Sequence, residues 1–233
     1  MKVLYAARMA RYDLLRVTCL LAQRVTKWTL TCDKMLHRLM CYINSSLKMR
    51  MVGWISDSSI KLSPHLYADA DLAGCERIQR STSGGHLSIE GPTSRFPLVA
   101  KSNRQTATSS STPEAEIVSG HSAYKNILIP AFDLWDLLLP SGYVATFHED
   151  NTAMIRVVTT GKNPSMKHLG RVHGVGIAFL HERIASEIKD PVLLKYEESK
   201  NMAADIYTKA FTDPEKWCHA CNLINMVLSL IHI

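Results

Sequence analysis

Four acidic residues stand in four separate local settings along this chain of 233 residues. They are Asp69 in LYADAD, Glu116 in STPEAEI, Asp150 in TFHEDN and Asp205 in NMAADIYTK. Carboxylate oxygens are ligands that Mg²⁺ prefers, and protein Mg²⁺ sites commonly combine a few carboxylates with substrate phosphates. A site that holds two such ions can catalyse in-line displacement at phosphorus. The four residues therefore predict a metal site, provided that the fold brings them together.

Neighbouring acids offer alternatives at the first two positions. Asp71 projects to the same face of a strand as Asp69, so spacing alone leaves both open. Glu114 and Glu116 are about 200° apart around a helix, and only one of them can face a sheet. A carboxylate at position 114 already suits the positive end of a helix dipole, which leaves Glu116 as the candidate ligand.

The last two positions are less constrained by spacing. Glu149 and Asp150 are expected on opposite faces of one strand, so only one of them is expected to point into the site. Asp205 lies on a stretch predicted to be helical, where a single acid is most often solvated. Its assignment as a ligand depends on the other three.

The segments that carry these residues follow a mixed α/β pattern, with antiparallel strands first. Strands are predicted at His65–Asp71, Ser83–Ile89, Arg95–Lys101, Val144–Asp150 and Pro191–Tyr196. Helices are predicted at Pro113–Leu139, Asn151–Thr160, His168–Arg183 and Asn201–Phe211. The first of these helices has Thr112 as its predicted N-cap and a predicted kink at Pro130. The order βββαβαβα predicts a mixed sheet with helices on its faces.

Residues 1–60 form a separate segment in composition. They carry ten Lys and Arg against three Asp and Glu, whereas the remainder is close to neutral. Apolar residues at helical spacing predict an amphipathic helix over residues 28–44. Residues 44–64 are predicted to connect it to the next domain, with a possible short strand at Lys48–Ile55. The positive charge favours contact with nucleic-acid phosphates, and a solvated basic helix face is the alternative.

Cysteine spacing and hydropathy limit the classes of protein to which this chain can belong. The six cysteines show no framework spacing and no secretory leader precedes them, so the sequence predicts free thiols in a reducing compartment and not a secreted protein. Cys218 and Cys221 form one CxxC pair without a second pair, which favours thiols on a C-terminal helix over a zinc site. No apolar run reaches the ~18 residues of a membrane span.

Six strings recur in the order known from one family: YADADLAG, QRSTSGGHLSI, STPEAEI, HEDNTA, MKHLGRVH and MAADIYTKAF. They cover roughly residues 65–212, and the chain resembles there the ribonuclease H domain at the end of a copia-type LTR retrotransposon polyprotein. The resemblance implies a ribonuclease H-like α/β fold with a mixed five-stranded sheet, preceded by a small helical segment. It divides the chain into a reverse transcriptase remnant at 1–60, the ribonuclease H-like domain at 65–212 and a helical tail at 213–233.

The resemblance also implies the chemistry. The family's Asp-Glu-Asp-Asp site falls on Asp69, Glu116, Asp150 and Asp205, holding two Mg²⁺ ions for which Mn²⁺ can substitute. The implied reaction is hydrolysis of the RNA strand in an RNA–DNA hybrid. A histidine between the third and fourth carboxylates assists such enzymes, and the family's KH pair favours His168 over His173; a histidine that caps or packs on a helix is the alternative.

Loops beside the implied site supply candidate contacts to the nucleic-acid backbone or to 2′-hydroxyl groups. These are Arg80, Ser81, Thr82, Ser83, Lys101, Asn103 and Arg104. Further expectations from the family are a reverse transcriptase partner, no membrane contact, and a cytoplasmic virus-like particle or nuclear location.

The chain also departs from the family pattern. Leu72 stands where the family usually has Trp, and Ile117 where it often has Tyr. A YxDD-type motif is absent, which argues against polymerase activity, and Met1 falls inside what is expected to be a longer polyprotein, as in a fragment or a decayed element. Two rival hypotheses follow: a noncatalytic nucleic-acid-binding or docking module that keeps the fold, and a related metal nuclease that cuts DNA.

Overall fold

The computed structural model describes residues 2–74, 79–139, 142–186 and 190–228. Its helices are α1 (Lys2–Met9), α2 (Leu15–Ala22), α3 (Leu30–Ser45), α4 (Thr112–Ala123), α5 (Ile129–Leu138), α6 (Thr152–Thr160), α7 (Leu169–Val172), α8 (Ile177–Ile184) and α9 (Pro214–Leu223). Its strands are β1 (Met49–Met51), β2 (Ser63–Asp71), β3 (Thr82–Glu90), β4 (Arg95–Arg104), β5 (Ala145–Glu149), β6 (Val192–Tyr196) and β7 (Met226–Leu228).

The main sheet has five strands in the order β4-β3-β2-β5-β6. Strands β2, β3 and β4 form an antiparallel meander, whereas β5 pairs parallel to both β2 and β6. Helices cover both faces, and a small helical segment precedes the sheet. The predicted fold class, a ribonuclease H-like mixed five-stranded α/β sheet, is confirmed.

One face of the sheet packs against helices α4, α5, α6 and α8 in an apolar core. Leu66, Leu87 and Phe147 point into it from the strands, and Ile117 and Leu128 come from the α4–α5 region. These side chains are almost fully buried. The alternation of apolar residues along β2 follows from the two-residue period of a strand, which places every second side chain on this face.

The opposite face packs against the chain's two ends. A second apolar core on this face contains Leu14, Leu15, Tyr67 of β2, Ile206 and Ile224. The short strands β1 and β7 pair antiparallel, with Arg50 opposite Val227. The predicted helical tail is therefore a helix followed by a strand.

Two predicted helices differ from the structure. The segment 168–183 is not one helix, because α7 ends at Val172 and Gly174 adopts φ +66° before α8 begins. The segment 201–211 contains a 3₁₀ helix at Ala203–Tyr207 instead of an α-helix. Both segments carried functional candidates, so their side chains project differently from the prediction.

The long helix after β4 also has a different internal geometry. Its N-cap is Ser111, whose side chain accepts a hydrogen bond from the Glu114 N–H, and not Thr112. A π-helical turn at Tyr124–Leu128 separates α4 from α5, so Pro130 lies in the first turn of a new helix and needs no kink. The predicted turn at Gly74–Arg80 falls partly outside the described residues.

Candidate metal centre

Asp69 lies near the end of β2 with only 1% of its surface exposed. Its side chain accepts a hydrogen bond from the Thr208 hydroxyl, and the Lys209 ammonium nitrogen lies 3.3 Å from its Oδ1. The backbone carbonyl of Asp69 accepts a hydrogen bond of 2.7 Å from Ser119 of α4. Helix α4 and the segment after Tyr207 therefore both meet the same strand end.

Asp205 reaches this strand end because the 3₁₀ helix Ala203–Tyr207 packs closely on β3. Gly84 pairs with Asp69 in the sheet, and a Cβ on Gly84 would lie 2.8 Å from Thr208 Cγ2 and 2.9 Å from the Ala204 carbonyl oxygen. A side chain at Gly84 would therefore push the segment that carries Asp205 away from the sheet.

The acidic side chains form two groups that share one member. Ligand oxygens of Asp69, Asp150 and Asp205 lie within 4.8 Å of one another, and so do those of Glu116, Glu149 and Asp150. The structure thus brings all four predicted carboxylates to one place and adds Glu149 as a fifth. We refer below to the Asp69–Asp205 pair and the Glu116–Glu149 pair, with Asp150 between them.

A lysine contacts both members of the Asp69–Asp205 pair. Lys209 Nζ lies 2.8 Å from Asp205 Oδ1 and 3.3 Å from Asp69 Oδ1, so one ammonium group contacts both carboxylates. Lys209 follows Asp205 by four residues, a spacing that indicates ion pairs on an α-helix. Sequence analysis assigned no role to Lys209, although this spacing was visible.

No cation of the described chain contacts the Glu116–Glu149 pair. Glu149 Oε1 accepts a hydrogen bond of 3.1 Å from the Asn151 N–H. Glu116 Oε2 and Glu149 Oε2 are buried and have no hydrogen-bond partner among the described residues. A buried carboxylate oxygen without a partner is costly, so these two atoms mark a place where a cation or a proton would be stabilising.

The electrostatics of the cluster support this reading. Burial, followed by the charges of Glu149 and Asp69, raises the pKa of Glu116 far above its ordinary value. Burial likewise raises the pKa of Glu149 and of Asp69, with Asp150 adding to both. Burial and the charge of Asp69 raise the pKa of Asp205 to about 7. Carboxyl groups that resist ionisation in this way release their protons when a divalent cation neutralises them.

The donor set fits a hard divalent cation. All five side chains offer carboxylate oxygens, which suit Mg²⁺ and Mn²⁺ and not a soft metal. The two unpartnered oxygens of the Glu116–Glu149 pair supply an independent indication that the protein alone does not complete the site.

The alternation of side chains along a strand allowed only one of Glu149 and Asp150 in the site, and the family resemblance selected Asp150; the structure shows why the alternation does not hold here. Strand β5 ends at Glu149, and Asp150 lies in the short connection before Asn151, the N-cap of α6. The two-residue period therefore does not extend to Asp150, and both side chains reach the cluster. Asp71, the alternative to Asp69, accepts a hydrogen bond from the Thr82 N–H and belongs to neither carboxylate group.

The histidine candidates lie around Glu114. His173 Nε2 is 3.0 Å and His168 Nε2 is 3.2 Å from Glu114 Oε1. The side chain of His173 is fully buried, whereas that of His168 is 42% exposed. Burial opposes ionisation of Glu114, but hydrogen bonds from Ser110 and both histidines lower its pKa overall. Glu114 therefore fastens the loop before α8 to the start of α4, and His168 keeps a solvent-facing surface.

The predicted nucleic-acid contacts divide into two sets. Ser81 and Ser83 are buried, and their hydroxyl oxygens accept hydrogen bonds from the Ala73 N–H and the Gln105 amide. The backbone N–H of Thr82 is engaged by Asp71. A remaining set is at least partly exposed: Arg80, Lys101, Asn103 and Arg104. Only this set presents polar groups to a ligand without first breaking internal hydrogen bonds.

The described helices include none long and apolar enough to cross a membrane.

The sequence matches no protein-family model and no curated protein. Among solved structures, the chain is similar to LC11-RNase H1 isolated from compost by a metagenomic approach. That similarity has 16% sequence identity and a TM-score of 0.41 over 63% of this chain and 92% of the other.

A second similarity is to the NurA nuclease from Sulfolobus solfataricus. It has 8% identity and a TM-score of 0.30, over 83% of this chain and 51% of that one. Both scores are low, so the fold class rests on the strand order and connections of the sheet itself.

Proposed function

We propose that this chain is a divalent-metal-dependent nuclease of the ribonuclease H type, which hydrolyses the RNA strand of RNA–DNA hybrids within a copia-type retrotransposon polyprotein. The observation that carries the proposal is the convergence of five carboxylates in which two buried oxygens lack any partner among the described residues. The choice of RNA–DNA hybrid and of the copia context is supported by the six ordered sequence strings.

Each of the five carboxylates would hold part of the bound metal charge. Asp150 belongs to both groups, so it would help to hold a divalent cation in either of them. When bound, a pair of divalent cations supplies an activated water and stabilises the departing oxygen. Four further carboxylates would fix the positions of that charge. Asp69 and Glu149 are held by strands, Glu116 by helix α4, and Asp205 by the 3₁₀ helix that packs on β3.

Two further groups would act beside the carboxylates. His168 is partly exposed and its Nε2 lies 3.2 Å from Glu114 Oε1, and it is the candidate to assist proton transfer or product release. Donors and acceptors at the 2′-hydroxyl groups would let the enzyme distinguish RNA from DNA. Arg80, Lys101, Asn103 and Arg104 are the exposed candidates for such contacts or for phosphate contacts.

One observation favours the second candidate function, a noncatalytic module that keeps the fold. The Lys209 ammonium already contacts both carboxylates of the Asp69–Asp205 pair, as an internal cation would in a domain that has ceased to bind metal. The Glu116–Glu149 pair has no such internal cation among the described residues, which is why we place catalysis first.

The deciding experiment is a cleavage assay with an end-labelled RNA–DNA hybrid, with Mg²⁺, with Mn²⁺ and with EDTA. We expect metal-dependent cuts in the RNA strand, no cuts in the DNA strand, and none in double-stranded DNA of the same sequence. Binding of the hybrid without cleavage in either metal would establish the noncatalytic module. Cleavage of the DNA duplex would establish the rival DNA nuclease.

A further inference from the structure

A groove lies along the outer edge of the sheet, between strand β4 and helices α1 and α2. It has a volume of about 540 Å³. Its polar wall consists of Arg8, Gln23, Lys101, Asn103 and Arg104, and its floor is apolar. The first two residues come from the N-terminal segment and the other three from β4, so neither part of the chain forms the groove alone.

The groove is positively charged without compensation. Arg8, Lys101 and Arg104 line it, and no Asp or Glu does so among the described residues. None of the three cations takes part in an ion pair within the part of the chain that the structure describes. Burial and the nearby charge of Arg8 lower the pKa of Lys101. Cations that repel one another around an open groove favour an anionic ligand.

The position of the groove along β4 brings it close to the carboxylate cluster. Asp69 pairs with Gly84 of β3, and Gly84 pairs with Ser102 of β4. Two strand spacings of ~4.8 Å place Ser102 roughly 10 Å from Asp69 along the hydrogen-bonding direction. The Ser102 hydroxyl donates to the Tyr207 carbonyl, in the same segment that carries Asp205. A polymer with regularly spaced negative charges can therefore reach both places at once.

We propose that this groove binds the phosphodiester backbone of a nucleic-acid strand that passes over the carboxylate cluster. Arginine and lysine neutralise phosphate charge, and the side-chain amides of Gln23 and Asn103 can donate to phosphate oxygens. The proposal rests on the proposed function, and it assigns to the N-terminal segment the role of closing half of a backbone-binding channel. Either strand of a hybrid carries this chemistry.

The test measures binding to a labelled RNA–DNA hybrid in EDTA, where no cleavage occurs, over a series of salt concentrations. Arg8→Gln and Arg104→Gln should each make the slope of log K against log salt shallower by ~1. The double variant should lose ~2 in slope, because each phosphate contact releases counterions independently. Arg8→Lys should retain the slope, since it keeps the charge.

Lys34→Gln is the matched control, because it removes one exposed positive charge from the same N-terminal segment away from the groove. It should leave the slope unchanged. Circular dichroism melts of all variants check that these surface substitutions leave the fold intact. Equal losses in the control and groove variants would overturn the proposal, because the effect would then be one of total charge only, and so would a parent chain that fails to bind the hybrid.

Further ligands separate the possible sources of the anion. Single-stranded RNA and single-stranded DNA of equal length show which strand occupies the groove, and dependence on Arg8 with either one supports the proposal. Polyglutamate of equal charge should bind without dependence on Arg8; a matching loss there would show a general polyanion surface and overturn it. Because binding is measured without metal, a parent that binds through the groove but never cleaves would contradict the proposed activity while leaving the groove in place.

Discussion

The two halves of the carboxylate cluster are alike in charge and differ in what neutralises it. The Asp69–Asp205 pair contacts the Lys209 ammonium at 3.3 and 2.8 Å. The Glu116–Glu149 pair contacts no cation among the described residues, and each of its members has a buried oxygen without a partner. One half is thus stabilised from within the fold, whereas the other requires a proton or an ion from outside.

This difference shows how a protein can keep a metal site folded when the metal is absent. Like charges that are buried together oppose folding unless an opposite charge accompanies them. Lys209 reduces this cost for one pair, while the raised pKa values of Glu116 and Glu149 let protons reduce it for the other. The half without an internal cation is the half in which metal binding should change stability most.

The largest expected effect comes from Asp150, which belongs to both halves. Asp150→Asn should reduce metal-dependent cleavage by on the order of 10³-fold, or ~4 kcal/mol of transition-state stabilisation, because both cation positions lose a ligand. In metal-free buffer the variant should melt no lower than the parent, because an amide oxygen can still accept the 2.6 Å hydrogen bond from Ser199. Cleavage rates and thermal melts check the two parts.

Asp133→Asn makes the same chemical change at an exposed position of α5 and is the matched control. It should leave both quantities unaltered. Parental cleavage by Asp150→Asn would disprove the metal-site assignment.

The second effect concerns the half without an internal cation. Glu149→Gln should stabilise the metal-free chain at pH 8 by about 2 kcal/mol, because it removes a buried carboxyl group that is unfavourable to ionise and lacks a full set of partners. Each ~1 kcal/mol raises the Tm of a chain of this size by about 2–4 °C. The same variant should gain less stability from added Mg²⁺ than the parent does, because a ligand that binds only the folded state stabilises by mass action.

Glu182→Gln, at an exposed position of α8, provides the comparison for Glu149→Gln. If Glu149→Gln melted below the parent in EDTA, the hydrogen bond to Asn151 would outweigh the charge. Glu149 would then be a structural residue.

The third effect concerns the half that has its own cation. Lys209→Gln should destabilise the metal-free chain by about 1–2 kcal/mol, less than a fully buried pair would, because the lysine side chain is 39% exposed. Added Mg²⁺ should restore more stability to this variant than to the parent. Lys209→Arg should remain close to the parent in differential scanning calorimetry, and similar losses in both variants would show that side-chain shape matters more than charge.

The smallest effect, when expressed per pH unit, is the dependence of stability on pH, measured by urea denaturation in EDTA from pH 5 to 9. The pKa of Asp205 rises from 3.8 when unfolded to about 7 when folded. Between these values the folded state binds more protons than the unfolded state, so stability falls as pH rises, by at most ~1.4 kcal/mol per pH unit for one group. Asp205→Asn should flatten the profile below pH 7, whereas Glu116→Gln, which removes a carboxyl group with its pKa raised to about 11, should also flatten it above pH 7. Identical profiles would remove the distinction between the two halves.

Local sequence rules were sufficient to predict much of the sheet. The alternation in His65–Asp71 identified β2, and Asn151 caps α6 as expected through its hydrogen bond from the Met154 N–H. The helical period limited the ligand to one of Glu114 and Glu116, and the helix dipole at position 114 left Glu116 as the candidate. These features depend on neighbours within a few residues, which is the range over which sequence periodicity carries information.

The features that sequence analysis missed depend on where an element ends or on contacts across the fold. Glu149 was excluded because β5 was assumed to continue through Asp150. The spacing of Lys209 from Asp205 is visible in the sequence, but its contact with Asp69 depends on the packing of the 3₁₀ helix against Gly84. The break between α7 and α8 depends on a single glycine with positive φ, which the apolar pattern does not reveal.

The second core has a consequence for biosynthesis. It joins residues 7–43 with residues 202–226, and β1 pairs with β7 across the same interval. At ~5–20 residues per second, a ribosome needs on the order of ten seconds or more to make the chain between these two parts. During that time the apolar sides of α1, α2 and α3 lack the partners that residues 202–226 supply, and they become fully shielded only when the last helix and strand emerge. The nascent chain should therefore depend on chaperones most strongly just before its synthesis is complete.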